Sequence, residues 1–475
     1  MSKQSDESSP LPARKPGMDR LKTRPFERNL ALTKLGFGAG SSIVAHSIRN
    51  IFRGEVSRDE ANREFYQRQA QVLADELGQL KGSVMKAGQM LSLYGQYFLP
   101  PEAVEVLSTL QDDTPAVSWQ HVAPVLDRQL GRERLRELDI DEQPIAAASL
   151  GQAHRARRKR DGLELVVKIQ YPGVADAIDS DIRTLSRLLL MSRLTPKGLD
   201  IGPIFAELRE MLVQEVDYLA ERRFTEDFAR RLDGDRRYVV PTVLGEYSGA
   251  RVLTTTYESG YSPRAAEVSA LPQPRRDRLG GAFIELFVRE FFDWGLVQTD
   301  PHFGNYRVRI GDRADDDRIV LLDFGATRRF ERRFVAAYSC IVRGAIEQDH
   351  ALIERGATEI GLIEAGFPRP AMLAFAQMCE TIVEPFTDPA EQRIPKALLT
   401  TDGAYRWGDS DLPMRAAQAG AKNALSVHFR VPPREIVFLH RRLAGVFIML
   451  AQLGSQYSPR AAVLDALSRV EVSNR

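Results

Sequence analysis

The sequence predicts an α+β fold of two lobes preceded by a helical extension, and three observations carry that expectation. Apolar positions recur at helical spacing from Arg58 to Leu107, interrupted only by Pro100-Pro101, before any strand signal appears. Strand-like runs then gather between Asp139 and Tyr257. Beyond Pro274 nearly every stretch has helical periodicity, with short strands expected only around Tyr306–Ile310 and Ile319–Leu322. At 475 residues the chain exceeds what one hydrophobic core usually covers. A small sheet-rich lobe followed by a larger helical one, with a cleft between them, is the expected architecture.

Each element has its own warrant. Residues 1–57 form the expected arm: Met1–Arg28 mixes Ser, Pro, Lys and Asp with little apolar content, which favours disorder. The Gly-rich, weakly apolar stretch Leu35–Ile48 is too short to span a bilayer, so its Gly36/Gly40 spacing says little about a transmembrane dimer. It reads as a surface or core helix, or as a shallow membrane contact assisted by Arg49 and Arg53. Residues 58–138 make the helical extension. Residues 139–260 make the first lobe: an Ala-rich turn, a basic segment, a turn at Asp161-Gly162 and the β-branched run Leu165–Ile169, which together suggest a hairpin. Helices are expected over Val174–Leu194 and Ile204–Arg231, then strands over Tyr238–Val243 and Arg251–Tyr257. Residues 261–475 form the helical lobe. Within it Ile436–Leu453 is apolar but carries His440, Arg441 and Arg442, so it reads as a buried amphipathic helix and not a membrane span.

Charge narrows the partners. Lys and Arg number 65 against 64 Asp and Glu, a formal net charge of +1, which gives no bulk electrostatic attraction for nucleic acid. The two cysteines, Cys340 and Cys379, share no metal-ligand spacing and fit small apolar packing in a reducing, cytoplasmic compartment.

Chemistry concentrates in Gln298-Thr-Asp-Pro-His-Phe-Gly-Asn305. An Asp followed five residues later by an Asn, then by a hairpin ending in Asp323-Phe324-Gly325, meets the needs of phosphoryl transfer. That reaction requires a carboxylate near the attacking group, for which Asp300 is the candidate. It also requires oxygen ligands for magnesium, for which Asn305 and Asp323 are the candidates. His302 fits loop packing better than metal binding. Lys168 closes the apolar run Val166–Val167, and a lysine there is costly to bury without a partner. Nucleotide phosphates and a helix glutamate would supply that partner. On a continuous helix Asp217 and Glu221 share a face at i,i+4, which makes Glu221 the candidate counter-ion.

With these motifs in order, the chain resembles the UbiB-like atypical kinases, also called aarF-domain kinases, and within them the branch associated with coenzyme Q biosynthesis. The likeness runs from about Leu80 to Gly454 through Lys86-Ala-Gly-Gln89, Ala146-Ala-Ala-Ser149-Leu-Gly-Gln-Ala-His154, Val166-Val-Lys168-Ile-Gln-Tyr-Pro-Gly173, Glu215-Val-Asp217, the Asp300–Asn305 segment and Asp323-Phe-Gly-Ala326.

The resemblance implies a two-lobed protein-kinase-like fold with an N-terminal Lys-x-Gly-Gln extension. It implies ATP or ADP with Mg2+ as cofactors and an atypical kinase or ATPase that supports isoprenoid-lipid, ubiquinone, biosynthesis. A protein or small-molecule kinase and a nucleotide-gated scaffold without turnover stay open as alternatives. Ala146, Ala147, Ala148 and Ser149 stand where ordinary kinases place a Gly-rich loop, and their side chains restrict backbone freedom and close approach. Lys168, Thr256 and Tyr257 complete the implied nucleotide set. Lys86 and Gln89 would lie on one helix face, held by Glu215 and Asp217 over the active site, where they would obstruct a peptide substrate. The implied partners are an adenine nucleotide, lipid or isoprenoid-quinone intermediates, quinone-biosynthesis proteins and a membrane surface touched peripherally. Two departures stand out. The hinge reads Leu253-Thr-Thr-Thr256-Tyr257 where relatives show Met-Glu, and no Ala-Pro-Glu follows Asp323-Phe-Gly, so control by activation-loop phosphorylation is not expected.

Overall fold

In the computed structural model the described residues are 116–192, 194, 201–363, 367–424 and 433–473, together with 67–68, 70–71, 86–88, 90–91, 99 and 101–108. The expected N-terminal arm, the Leu35–Arg53 membrane contact and Gln89 lie outside them. The described strands are β1 (Leu138–Ala147), β2 (Gly151–Arg158), β3 (Glu164–Gln170), β4 (Tyr238–Val239), β5 (Val252–Thr256), β6 (Leu296–Gln298), β7 (Tyr306–Arg309), β8 (Arg318–Leu321) and β9 (Thr327–Arg329). The chain separates into two units, one ending at Tyr218 and including 244–255, the other made of 219–243 and the residues from Thr256 onward.

The first unit is built on a sheet of order β1-β2-β3-β5. β3 shows why its sequence makes a strand. Leu165, Val167 and Ile169 are fully buried on one face, while Val166 and Lys168 occupy the other, half-buried face. Burying each such aliphatic side chain stabilises the fold by about 1.5–3 kcal/mol. β3 pairs antiparallel with β2, setting Lys168 opposite Ala153. β1 has little apolar pattern of its own and contains Pro144, where the pairing with β2 shifts register. Helix α1 (Trp119–Arg136) packs on this sheet, and α2 (Val174–Ser192) and α3 (Gly202–Glu215) follow β3.

One helix was expected over Ile204–Arg231, and the structure corrects this. α3 stops at Glu215, and α4 (Tyr218–Arg231) begins after a break at Val216-Asp217. Gln170 Nε2 donates to the Val216 carbonyl at 2.9 Å, capturing an acceptor that a continuing helix would use. Asp217 therefore lies outside the helix and shares no helical face with Glu221.

In the second unit β4, β8 and β7 form one sheet, and β6 and β9 pair antiparallel as a second. The strand expected over Tyr238–Val243 shrinks to two residues, which pair in parallel with Ile319 and Val320. β7 and β8 form the expected antiparallel hairpin. β6 and β9 were hidden from sequence reading because three residues carry too little periodicity. Helices α5 (Gln273–Val288) and α6 (Arg434–Gln452) pack together. α6 covers the stretch expected to be an amphipathic buried helix, and Ile436, Leu439, Val446 and Leu450 lie in the core. No described helix is long and apolar enough to cross a membrane.

Candidate nucleotide and phosphotransfer sites

The Ala-rich segment splits between strand and turn. Ala146 and Ala147 end β1, paired with Ala153 and Gln152, and Ala148 N donates to Gly151 O at 2.9 Å to close the turn into β2. Ser149 is buried. Two residues near the end of the motif, Gln152 and His154, anchor it. Gln152 donates to Val117 O and accepts from Val117 N at 3.1 and 2.9 Å, and it meets His154 Nε2 at 2.9 Å. His154 Nδ1 meets Asp141 O at 2.7 Å, and burial holds its imidazole below the ordinary value. The motif itself was legible in the sequence; this bracing was not, since it depends on contacts with Val117 and Asp141.

Lys168 lies on β3 with its ammonium 5.1 Å from the centroid of the Tyr218 ring, within cation–π range. Lys86 belongs to the same unit. It sits in a helical stretch whose Ala87, Met90 and Leu91 are buried, and its Nζ is 2.9 Å from Glu215 Oε1. Both side chains keep partial exposure, 18% and 30%, so the pair is screened. Lys86→Ala and Glu215→Gln are expected to lower stability non-additively, with a coupling of about 0.5–1 kcal/mol in a denaturant double-mutant cycle. Simple additivity would show that the contact contributes nothing.

In the second unit the catalytic-loop candidates are brought together by the β6–β9 pairing. Gln298 lies opposite Thr327, so the segments that leave these strands run side by side. Thr299 donates to Ala326 O through both N and Oγ1, at 3.2 and 2.7 Å. Gln298 Nε2 reaches both segments, donating to Asp300 O at 2.9 Å and Asp323 O at 3.3 Å. Leu322 N donates to Asn305 O at 2.9 Å, which ties the hairpin end to the loop. Asn305 Nδ2 donates to Asp300 Oδ2 at 2.9 Å, and Gly325 N to Asp323 Oδ1 at 2.8 Å. With its amide nitrogen turned to Asp300, Asn305 presents Oδ1 as its remaining ligand atom. One amide oxygen and one carboxylate form a sparse, hard donor set. Such a set suits magnesium, which keeps water and phosphate oxygens in its other positions.

Other sequence candidates fall as follows. Glu221 lies on α4, buried, and a methyl placed on Gly325 would stand 3.3 Å from both Glu221 Oε2 and Asp323 Oδ1. Its carboxylate therefore stands beside the Asp323-Phe-Gly turn. Phe324 is held under α4 by Phe228, with ring centroids 4.8 Å apart. Thr256 N donates to Thr242 O at 2.9 Å and its hydroxyl to Glu258 Oε1 at 2.8 Å, while Tyr257 is half-buried. His302 Nδ1 accepts from Gly304 N at 3.0 Å, which is loop packing. Cys379 is buried and Cys340 partly so, both as free thiols.

Sequence reasoning missed what α6 brings. Arg441 Nη2 donates to Asp300 Oδ1 at 2.7 Å. Its neighbour Arg442 is buried, donating to Glu290 Oε2 at 3.1 Å and to the Tyr306 hydroxyl at 2.6 Å. That hydroxyl donates to Gln298 Oε1 at 3.2 Å, so a chain of hydrogen bonds runs from Glu290 to the backbone of Asp300 and Asp323. Burial pushes the Glu290 carboxyl up, against the pull of Arg442. The helix approaches so closely that a Cβ on Gly445 would lie 2.0 Å from Pro301 Cβ, which only glycine avoids. Charges inside an apolar helix were the available signal, but nothing local named their partners.

A lysine on a small antiparallel sheet in one unit, and an Asp–Asn–Asp array on a β-braced loop in the other, are each features of the atypical kinase class. The sequence model of the ABC1 atypical kinase-like domain matches residues 109–356, and the chain belongs to that family. It is 31% identical over 402 residues to Atypical kinase COQ8, mitochondrial, of Schizosaccharomyces pombe, covering 84% of this chain and 63% of that protein. Identity to Atypical kinase coq-8, mitochondrial, of Caenorhabditis elegans is also 31%, over 429 residues, with 90% and 53% covered. The chain thus spans between half and two thirds of the length of these relatives. A solved structure of Rv3197 in complex with erythromycin, from Mycobacterium tuberculosis, matches with a TM-score of 0.55 at 26% identity, covering 85% of this chain and 97% of that one. Binding of ATP or ADP with Mg2+ is what a kinase-like family of this type implies in general.

Proposed function

We propose that the chain is an atypical kinase or ATPase that binds a magnesium–adenine nucleotide and supports isoprenoid-lipid, ubiquinone, biosynthesis. The observation that carries the reading is the array in which Asn305 Nδ2 orients Asp300, beside two hard oxygen donors, Asn305 Oδ1 and the Asp323 carboxylate. The relatives named as COQ8 kinases support the class and motivate the metabolic assignment. Asn305 and Asp323 would hold the magnesium, which when bound neutralises phosphate charge. Asp300 orients the attacking hydroxyl or water and takes its proton. Lys168 and the turn at Ala146–Ser149 would bear on the nucleotide phosphates, and Thr256 and Tyr257 on the adenine. The Lys86–Glu215 contact would keep the helical extension docked, with Asp217 beside it, and exclude peptide substrates in favour of a small lipid-like acceptor.

A thermal-shift titration tests the core of this reading. At about 100 times its dissociation constant a ligand stabilises the fold by about 2.7 kcal/mol, well within the sensitivity of the method. The unaltered chain is expected to shift with MgATP or MgADP and not with nucleotide in EDTA, and Asp323→Asn is expected to abolish the shift. An equal shift in the variant would remove Asp323 from the metal site. The metabolic part stands on whether a deletion strain loses its quinone and regains it with the unaltered gene but not with Asp323→Asn.

A further inference from the structure

We propose that Arg441 is the cation that grips the terminal phosphoryl group of the nucleotide, delivered to the catalytic loop from helix α6 and not from the loop itself. The proposal rests on the phosphotransfer reading above and assigns it a residue. The charge of a transferring phosphoryl group is spread over its equatorial oxygens, and a fixed cation aimed at them stabilises it strongly. The loop from Asp300 to Asn305 contains no Lys or Arg. Its His302 is spent on Gly304 N and faces solvent. Arg307, just beyond, donates to Gly304 O and Tyr306 O at 3.2 and 2.7 Å, and Arg264 lies 4.1 Å over the Phe303 ring.

Arg441 differs from all of these. A guanidinium has five N–H donors. Among the described residues only one nitrogen of Arg441 is engaged, Nη2 on Asp300 Oδ1, and the side chain is 32% exposed. The remaining donors form the planar fork that matches a phosphate edge. Its anchor is rigid. Gly445, one helical turn on, abuts Pro301, so the Arg441 face of α6 is held against the loop. The contact with Asp300 keeps the guanidinium at the carboxylate beside which the terminal phosphoryl must sit for transfer.

The test is a calorimetric titration of the full chain with MgADP and with the magnesium complex of a non-hydrolysable ATP analogue. Arg441→Met is expected to weaken the ATP analogue about tenfold or more while leaving ADP within about twofold, the loss expected for a charge-assisted contact made only to the third phosphate. Arg441→Lys keeps the charge without the fork and is expected to fall between. It also decides the matter should Arg441→Met fail to fold. Equal weakening of both nucleotides, or of neither, overturns the role of Arg441 while leaving the nucleotide reading intact. If the unaltered chain binds neither nucleotide with magnesium, the phosphotransfer reading falls and this assignment with it.

Discussion

Arg442→Met is expected to cost the second unit about 3–5 kcal/mol, because it removes one half of a buried ion pair and leaves the other. The two side chains are 2% and 1% exposed, so water cannot take the place of the lost guanidinium around Glu290. The direction of the pH dependence follows. Once Arg442 is gone, burial acts on the Glu290 carboxyl against only the Gln298 backbone hydrogen bond, and its folded value is already raised. The folded variant then binds more protons than the unfolded chain, so its stability is greatest below the ordinary carboxylate range and is lost as pH rises through the raised value. Denaturant melts at pH 5 and pH 8 measure this, with the variant recovering part of its deficit at the lower pH. Replacing both partners, Arg442→Met with Glu290→Leu, is expected to restore much of the stability, since no uncompensated charge remains. A single variant within about 1 kcal/mol of the unaltered chain would mean that the pair contributes little. A double variant as unstable as the sum of the singles would point to packing alone.

Asp300→Asn is expected to lower turnover by about 10²–10⁴-fold, the usual worth of a positioned general base, while affinity for MgADP changes little. The geometry explains why an isosteric change should be so costly. Both carboxylate oxygens act as acceptors, Oδ1 from Arg441 and Oδ2 from Asn305. A carboxamide has one acceptor end, so one of those donors would face an N–H and the side chain would turn. The proton acceptor and its orientation are lost together. Single-turnover phosphate release, run beside nucleotide titration, separates this variant from Asp323→Asn, which fails earlier, at binding. Turnover within about threefold of the unaltered chain would remove Asp300 from the chemistry.

What could be read before the structure was local. Asp300 and Asn305 precede one short hairpin and Asp323 follows it, so their order and spacing along the chain were readable, and the alternation Leu165–Ile169 put Lys168 on the face opposite the core. The break at Val216-Asp217 was not legible, because its cause is a side chain 46 residues earlier, Gln170. β1 escaped notice because its strand character comes from pairing with β2 and not from apolar content. Arg441 was visible only as an awkward charge in an apolar helix; its partner lies 141 residues away.

That separation has a consequence for when the site can exist. The span matched by the family model, 109–356, contains Asp300, Asn305 and Asp323 but stops well before the helix that carries Arg441, Arg442 and Gly445. A fragment cut at that boundary would keep the recognisable motifs and the β6–β9 pairing but lose every contact that α6 makes to the loop. The same holds on the ribosome. At about 5–20 residues per second, the 141 residues from Asp300 to Arg441 take roughly 7–28 s to synthesise. Throughout that interval the nascent chain carries these motifs without the contacts that Arg441 and Gly445 make to Asp300 and Pro301.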